Sequence, residues 1–363
     1  MKKIRLNLGK NSYDIIICSD KVQTLSSHLK RLNIGKDAVI VTNQAIKKLF
    51  GKKIERALVS KGFSVRFETV PDTERAKSEK ECLRLLNNIS RFDFLGRRVF
   101  IIALGGGVVG DLAGFTASIY KRGVPYIQVP TTLLSQVDSA IGGKTAIDLT
   151  VGKNLAGAFY QPRLVFSDTS FLKTLPKKEL ISGLSEVIKC AIIKSPGLFR
   201  FVEKNYTRIL GCDKKSLEHI IYVCSLIKAR IVEKDEKDNK GIRATLNLGH
   251  TIGHAIETSA KYTKRYSHGQ AVALGILSAI YLSEKIGLID KMSGQKVKAL
   301  FKKIGLPIAA KGLDVKDILS ALRHDKKFIY GKTRFVLPVR IGKVAIREGV
   351  PERLIKEAIQ AFL

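Results

Sequence analysis

The chain reads as an α/β N-terminal domain, with a Rossmann-like, mostly parallel sheet, followed by a mainly α-helical C-terminal domain. Three observations predict this. Short apolar, β-branched runs at residues 38–42, 65–70, 99–104, 126–129 and 164–166 have the length of buried strands, and helix-period stretches such as 43–60 and 78–91 lie between most of them. Such alternation favours βαβ crossovers and a parallel sheet. After residue 167 the texture changes to long helical periods, and 363 residues exceed what one core comfortably organises. A division into domains 1–168 and 169–363 is expected.

Taken in order, residues 4–8 and 13–17 alternate around Gly9-Lys10-Asn11, which suggests a hairpin at the sheet edge. The strand and helix runs follow. Beyond them, helices are expected at 178–194, 216–236, 244–260, 270–286 and 295–304, with a small β element near 334–346 and a closing helix from Pro351. No internal repeat or low-complexity tract interrupts this order.

Lys and Arg number 64 against 32 Asp and Glu, a formal charge of +32. A nucleic-acid footprint would cluster these charges and interleave exposed aromatics. They occur instead as scattered pairs, Lys47-Lys48, Lys52-Lys53, Arg97-Arg98, Lys177-Lys178 and Lys326-Lys327, which favours a generally cationic surface with an anion-binding pocket. The five cysteines lack a C-x-x-C spacing, so a reducing compartment is expected. Polar residues break up the N-terminal segment, and the longest apolar windows, near 99–109 and 271–282, are shorter than a bilayer requires. The expectation is a cytoplasmic protein without a membrane partner.

Ile101-Ile102-Ala103-Leu104-Gly105-Gly106-Gly107-Val108-Val109-Gly110-Asp111 is a buried strand running through a glycine turn into a helix. Backbone N–H groups can approach a diphosphate there, and the helix N-terminus adds partial positive charge. A tight turn alone would look the same. A second strand ends at Pro130-Thr131-Thr132-Leu133-Leu134, which places hydroxyls at the carboxyl edge of the sheet. Asp138, Gly142-Gly143-Lys144-Thr145 and Gly152-Lys153-Asn154 then read as a glycine-permitted loop that suits an anion better than a merely solvated turn.

Of six histidines, His28, His219 and His324 stand in isolated polar settings. His250 and His254 are four apart on an expected helix and share one face, as metal ligands or as ordinary helix residues. His268 precedes the next helix and could fold back onto the first. Glu186 is a carboxylate in an apolar stretch with Lys189 on the same face, either an ion pair or part of a metal set. Two imidazoles and one carboxylate with open positions make a catalytic centre.

These motifs, with Phe171-Leu172-Lys173-Thr174-Leu175-Pro176, residues 183–189 and residues 246–257, run in order over most of the chain and resemble the successive signatures of the 3-dehydroquinate synthases, among the sugar phosphate cyclases. The resemblance implies a dehydroquinate synthase-like fold, NAD, and a divalent metal, zinc or cobalt, on Glu186, His250 and His268. The NAD would lie on Gly105, Gly106, Gly107, Val108 and Asp111, with Thr131, Thr132, Asp138, Lys144, Lys153, Phe171 and Thr174 around it and Asn43, Glu74 and Lys77 on its adenosine side. A longer span than usual between His250 and His268 implies a bulged loop.

The substrate so implied is 3-deoxy-D-arabino-heptulosonate 7-phosphate, anionic at both ends. Lys144, Asn154, Lys189, Lys228, Arg243, Asn247, His254 and Lys326 or Lys327 match the pocket, and Arg122 would reach a phosphate from the neighbouring subunit of a homodimer. The implied chemistry is oxidation of a hydroxyl, β-elimination of phosphate, reduction, ring opening and aldol closure. The alternatives are another sugar phosphate cyclase, whose substrate lacks a carboxylate, and a relative of the glycerol or iron-type alcohol dehydrogenases.

Overall fold

A computed structural model describes residues 1–93, 97–260, 266–323, 328–329 and 332–363. Two compact units result: Met1–Leu175 with Leu217–Glu236, and Pro176–Ser216 with Lys237–Leu363.

The first unit is a seven-stranded sheet in the order β1-β2-β9-β6-β5-β3-β4, parallel except for β1. β1 (Lys2–Leu6) and β2 (Tyr13–Cys18) form the expected edge hairpin. α1 (Leu25–Leu32) leads to β3 (Asp37–Asn43), and the helical stretch after it comprises α2 (Gln44–Ile46), a π-helical stretch at Lys47–Gly51 and α3 (Lys52–Val59). β4 (Ser64–Val70), α4 (Glu79–Phe92), β5 (Val99–Gly105), α5 (Gly107–Ile119) and β6 (Tyr126–Pro130) follow the crossover pattern.

Alternate residues of the buried strands fill two layers. Ile40, Ile102 and Val129 pack with Leu29 and Leu58 on one face, and Val41, Ile101 and Ala103 with Leu85 and Leu112 on the other. Both faces are covered, which is why the strands read as continuous apolar runs.

Residues 144–159 depart from the expected loop. They pair as an antiparallel hairpin of β7 (Lys144–Leu149) and β8 (Gly152–Phe159). Their alternation is obscured by small residues and lysines. β9 (Leu164–Asp168) then returns to the main sheet between β2 and β6.

In the second unit, α6 (Lys177–Lys194) and α7 (Pro196–Leu210) precede α8 (Lys214–Lys234), whose residues from Leu217 onward group with the first unit. The expected boundary at 168/169 therefore differs twice: it falls at Leu175/Pro176, and the segment Leu217–Glu236 returns to the sheet unit. The helix expected at 244–260 is broken into a 3-10 turn at Arg243–Asn247 and α9 (His250–Ser259). Gly249, at φ 78°, turns the chain between them in a conformation that favours glycine. α10 (His268–Lys285), α11 (Lys291–Ile304) and α12 (Val315–Arg323) lead to β10 (Phe328–Ile329), β11 (Lys332–Arg340) and β12 (Lys343–Glu348), and α13 (Glu352–Gln360) closes the chain. No helix among the described residues is long and apolar enough to cross a membrane.

Candidate active site

In the sheet unit, β3 has β4 on one side and β5 on the other, so the strand order reverses between β3 and β5. Ligands of open α/β sheets bind in the crevice at the carboxyl ends of strands at such a reversal. Gly105 ends β5, Gly106 is the N-cap of α5, and Gly107 and Val108 form its first turn. A Cβ on Gly106 would stand 3.2 Å from Thr132 Cγ2, and one on Gly107 3.2 Å from Ser139 Oγ. The hydroxyls of Thr42, Thr131 and Ser139 are buried without a hydrogen-bond partner. A cradle that a side chain would crowd, with orphaned hydroxyls beside it, fits a dinucleotide diphosphate.

Around this turn the side chains are largely engaged with one another. Lys77, 4% exposed, lies 2.8 Å from Asp111 Oδ2, 3.6 Å from Glu74 and 3.9 Å from Asp148, and it also meets the Asn154 side-chain oxygen. Burial disfavours its charge, but the three carboxylates outweigh that and raise its pKa. Asp111 moves the same way for the opposite reason: desolvation raises its carboxyl by more than Lys77 lowers it. Lys153 stands 3.8 Å from Glu74. Asn43 caps the helix after β3, accepting from the Ile46 N–H at 2.8 Å and donating to Asp72 at 2.6 Å.

Thr132 Oγ1 shares a hydrogen bond with Ser135 at 2.7 Å, and Thr174 Oγ1 donates to the Phe171 carbonyl at 3.1 Å. The Phe171 ring packs in the core against Phe50. Lys228 on α8 is buried and pairs with the Asp138 carboxylate while donating to its carbonyl at 2.7 Å. Lys144 opens β7 as an exposed residue, its amine 5.9 Å from the Phe159 ring centre.

The helical unit brings Glu186, His250 and His268 together. Glu186 lies mid-way along α6 and is fully buried. His250 and His268 open α9 and α10, and their Nε2 atoms stand 3.6 and 3.5 Å from Glu186 Oε1. These gaps are long for hydrogen bonds. They match the ~3.4 Å between two donors that each sit about 2.1 Å from one tetrahedral ion. Neither carboxylate oxygen has a hydrogen-bond partner, although Lys189 lies against Oε2 as an ion pair. A buried carboxylate so placed, facing two imidazole nitrogens, fits a divalent cation.

Tight packing brings α10 to its neighbours. A Cβ on Gly269 would sit 2.0 Å from the Ser182 carbonyl of α6, and one on Gly275 1.9 Å from the Gly249 carbonyl. Ser267 caps α10 in a reciprocal pair with Gln270. Each histidine is also fixed at its far nitrogen: His250 Nδ1 by the Leu248 carbonyl at 3.2 Å, and His268 Nδ1 by Glu257 at 3.1 Å. Outer partners of this kind fix the tautomer that leaves Nε2 for a metal.

Spacing alone pairs His250 with His254, and their rings do touch edge to face at 5.2 Å. The convergent set, however, is Glu186, His250 and His268, whose ligand atoms lie within 4.8 Å of one another. Glu257, with His254 and His268 in a second such group, had no role in the sequence reading. Its position at i+7 from His250 was the available signal. Arg243 is buried, and Asn247 and His254 are half-buried. Arg122, exposed, follows Lys121 in a left-handed pair at φ 61° and 47°. Lys326, Lys327, His324 and part of the expected bulge, at 261–265, lie outside the described residues.

The fold and the Glu-His-His set define a class: two-unit enzymes of the architecture shared by sugar phosphate cyclases and iron-containing alcohol dehydrogenases. Within it, the 3-dehydroquinate synthase N-terminal model matches residues 67–182 and the 3-dehydroquinate synthase C-terminal model residues 183–328. The chain belongs to the 3-dehydroquinate synthase family. A 3-dehydroquinate synthase of Desulforamulus reducens is 44% identical over 97% of this chain and 98% of its own. Among solved structures, 2-deoxy-scyllo-inosose synthase complexed with carbaglucose-6-phosphate, NAD+ and Co2+ superposes with a TM-score of 0.90 at 26% identity over the whole of both chains. An iron containing alcohol dehydrogenase shares the fold alone, with a TM-score of 0.69 and 14% identity over 97% of each chain.

Proposed function

We propose that this chain converts 3-deoxy-D-arabino-heptulosonate 7-phosphate to 3-dehydroquinate and inorganic phosphate, with NAD on the glycine turn and a divalent metal on Glu186, His250 and His268. The observation that carries the reading is the buried Glu186 carboxylate facing both Nε2 atoms. When bound, NAD supplies reversible oxidation of a hydroxyl and the metal supplies Lewis acidity.

The chain's own work is to orient and to balance charge. The substrate is anionic at both ends, so its pocket needs cations. Lys189, Arg243, Asn247 and His254 in the helical unit, and Lys144, Lys153, Asn154 and Lys228 in the sheet unit, are the groups proposed for this. Lys189 and Lys228 are held in place by Glu186 and Asp138, which pre-sets their positions before a ligand arrives. Arg122 is proposed to reach a phosphate across a homodimer. Its support is the exposed Lys121-Arg122 turn, since two consecutive non-glycine residues at positive φ carry strain that a functional site can retain. A cytoplasmic setting agrees with five cysteines that form no disulfide.

Oxidation and reduction cancel over the cycle, and this separates the proposal from a dehydrogenase. Metal-loaded protein given NAD and the heptulosonate phosphate should release one phosphate per dehydroquinate with no net NADH. Accumulating NADH without phosphate would overturn the reading. The inosose-forming alternative is favoured by no observation here: identity to the inosose synthase is 26%, against 44% to the 3-dehydroquinate synthase.

A further inference from the structure

His250, His254 and Glu257 form an i, i+4, i+7 stripe along α9. Glu257 Oε2 lies 3.1 Å from His268 Nδ1, while Nε2 of the same ring stands 3.5 Å from Glu186 Oε1. The two nitrogens of His268 are thus divided between two carboxylates. His268 is the first residue of α10, and its side chain is 34% exposed, so packing alone does not hold the ring. His250, at 11%, sits deeper and takes its second contact from the Leu248 carbonyl.

We propose that Glu257 is a positioning residue: it accepts the Nδ1–H of His268, selects the tautomer with its lone pair on Nε2, and aims that lone pair at the cation shared with Glu186 and His250. The inference rests on the metal reading above. A competing arrangement uses Glu257 as a ligand with His254 and His268, whose donor atoms also lie within 4.8 Å of one another. The geometry favours positioning, because the 3.1 Å contact is a hydrogen bond, whereas the longer gaps at Nε2 leave room for an ion. The carboxylate also makes the imidazole a stronger donor than a carbonyl partner would.

The test uses the full chain and its Glu257→Ala, Glu257→Gln and Glu257→Asp variants, titrated with Co2+ against a competing chelator while the visible spectrum of the bound ion is recorded. Glu257→Ala should weaken Co2+ binding by ~10–100-fold with the band positions unchanged, since the ligands are the same. Glu257→Gln, which keeps an acceptor without charge, should recover part of that loss, and it carries the test should Glu257→Ala fail to fold by thermal unfolding. Wild-type affinity in the alanine and glutamine variants overturns the proposal. A changed spectrum overturns it in favour of direct ligation by Glu257. Failure of the wild-type chain to bind Co2+ sinks the metal reading itself, a result distinct from either.

Discussion

A carboxylate with no exposure survives in a protein only where cations face it. Glu186 meets that condition through Lys189 on one oxygen and the two imidazoles near the other. Glu186→Gln keeps the shape and removes the charge, and it should lower metal affinity by more than the ~10–100-fold expected for losing an outer partner. Equilibrium dialysis against the metal would show this. His268 gives a pH signature. Burial opposes its charge, but Glu186 and Glu257 outweigh that and hold its pKa up at about 10 in the metal-free site, from an ordinary 6.5. A raised folded-state value stabilises the metal-free protein fully below about 6.5, and that contribution is lost as pH climbs through about 10. Metal must displace the same proton, so apparent metal affinity should rise by about tenfold per pH unit across this window, with proton release measurable on binding. A flat profile would mean that His268 enters the site already neutral. At this scale the sequence was only partly legible. The histidine pair was visible by spacing, but Glu186 and His268 are far apart in the chain, and only the family resemblance joined them.

Helix α10 reaches its neighbours because two of its residues have no side chain. Replacing Gly269 by Ala puts a methyl 2.0 Å from a backbone oxygen of α6, and Gly275→Ala puts one 1.9 Å from that of Gly249. Backbone cannot swing aside as a flexible side chain does. Each change should cost about 1–3 kcal/mol by denaturant unfolding. Gly269→Ala should in addition loosen metal binding, because it separates the helices that carry His268 and Glu186. Among the elements, runs bounded by charge or proline are readable, whereas glycine, lysine and small residues hide the alternation of β7 and β8, so that their sequence reads as a loop. The break before α9 is likewise hidden. Helical periodicity continues across it, and only Gly249 marks the turn.

For the whole molecule, a charge of +32 raises the local concentration of an anionic substrate and is screened by salt. Raising ionic strength from roughly 0.05 to 0.3 M should increase KM several-fold and leave kcat nearly constant, as steady-state assays would show. A fall in kcat of the same size would place the salt effect on the chemistry instead. The parallel sheet was legible because both of its faces are covered, which makes every central strand an apolar run. The domain boundary was legible only to a first approximation, since α8 lies among helices in the sequence and belongs to the sheet unit in space.

That return of the chain limits how the gene can be cut. A polypeptide ending at Leu175 would carry all seven strands of the main sheet yet lack the helix whose Lys228 neutralises Asp138, and the complementary piece would bear an orphaned amphipathic segment. The sheet unit therefore depends on a stretch encoded between the two segments of the helical one. Swapping the sheet unit between relatives would have to exchange two pieces of DNA together, or the recombinant would begin life with the Asp138 carboxylate opposite a foreign helix.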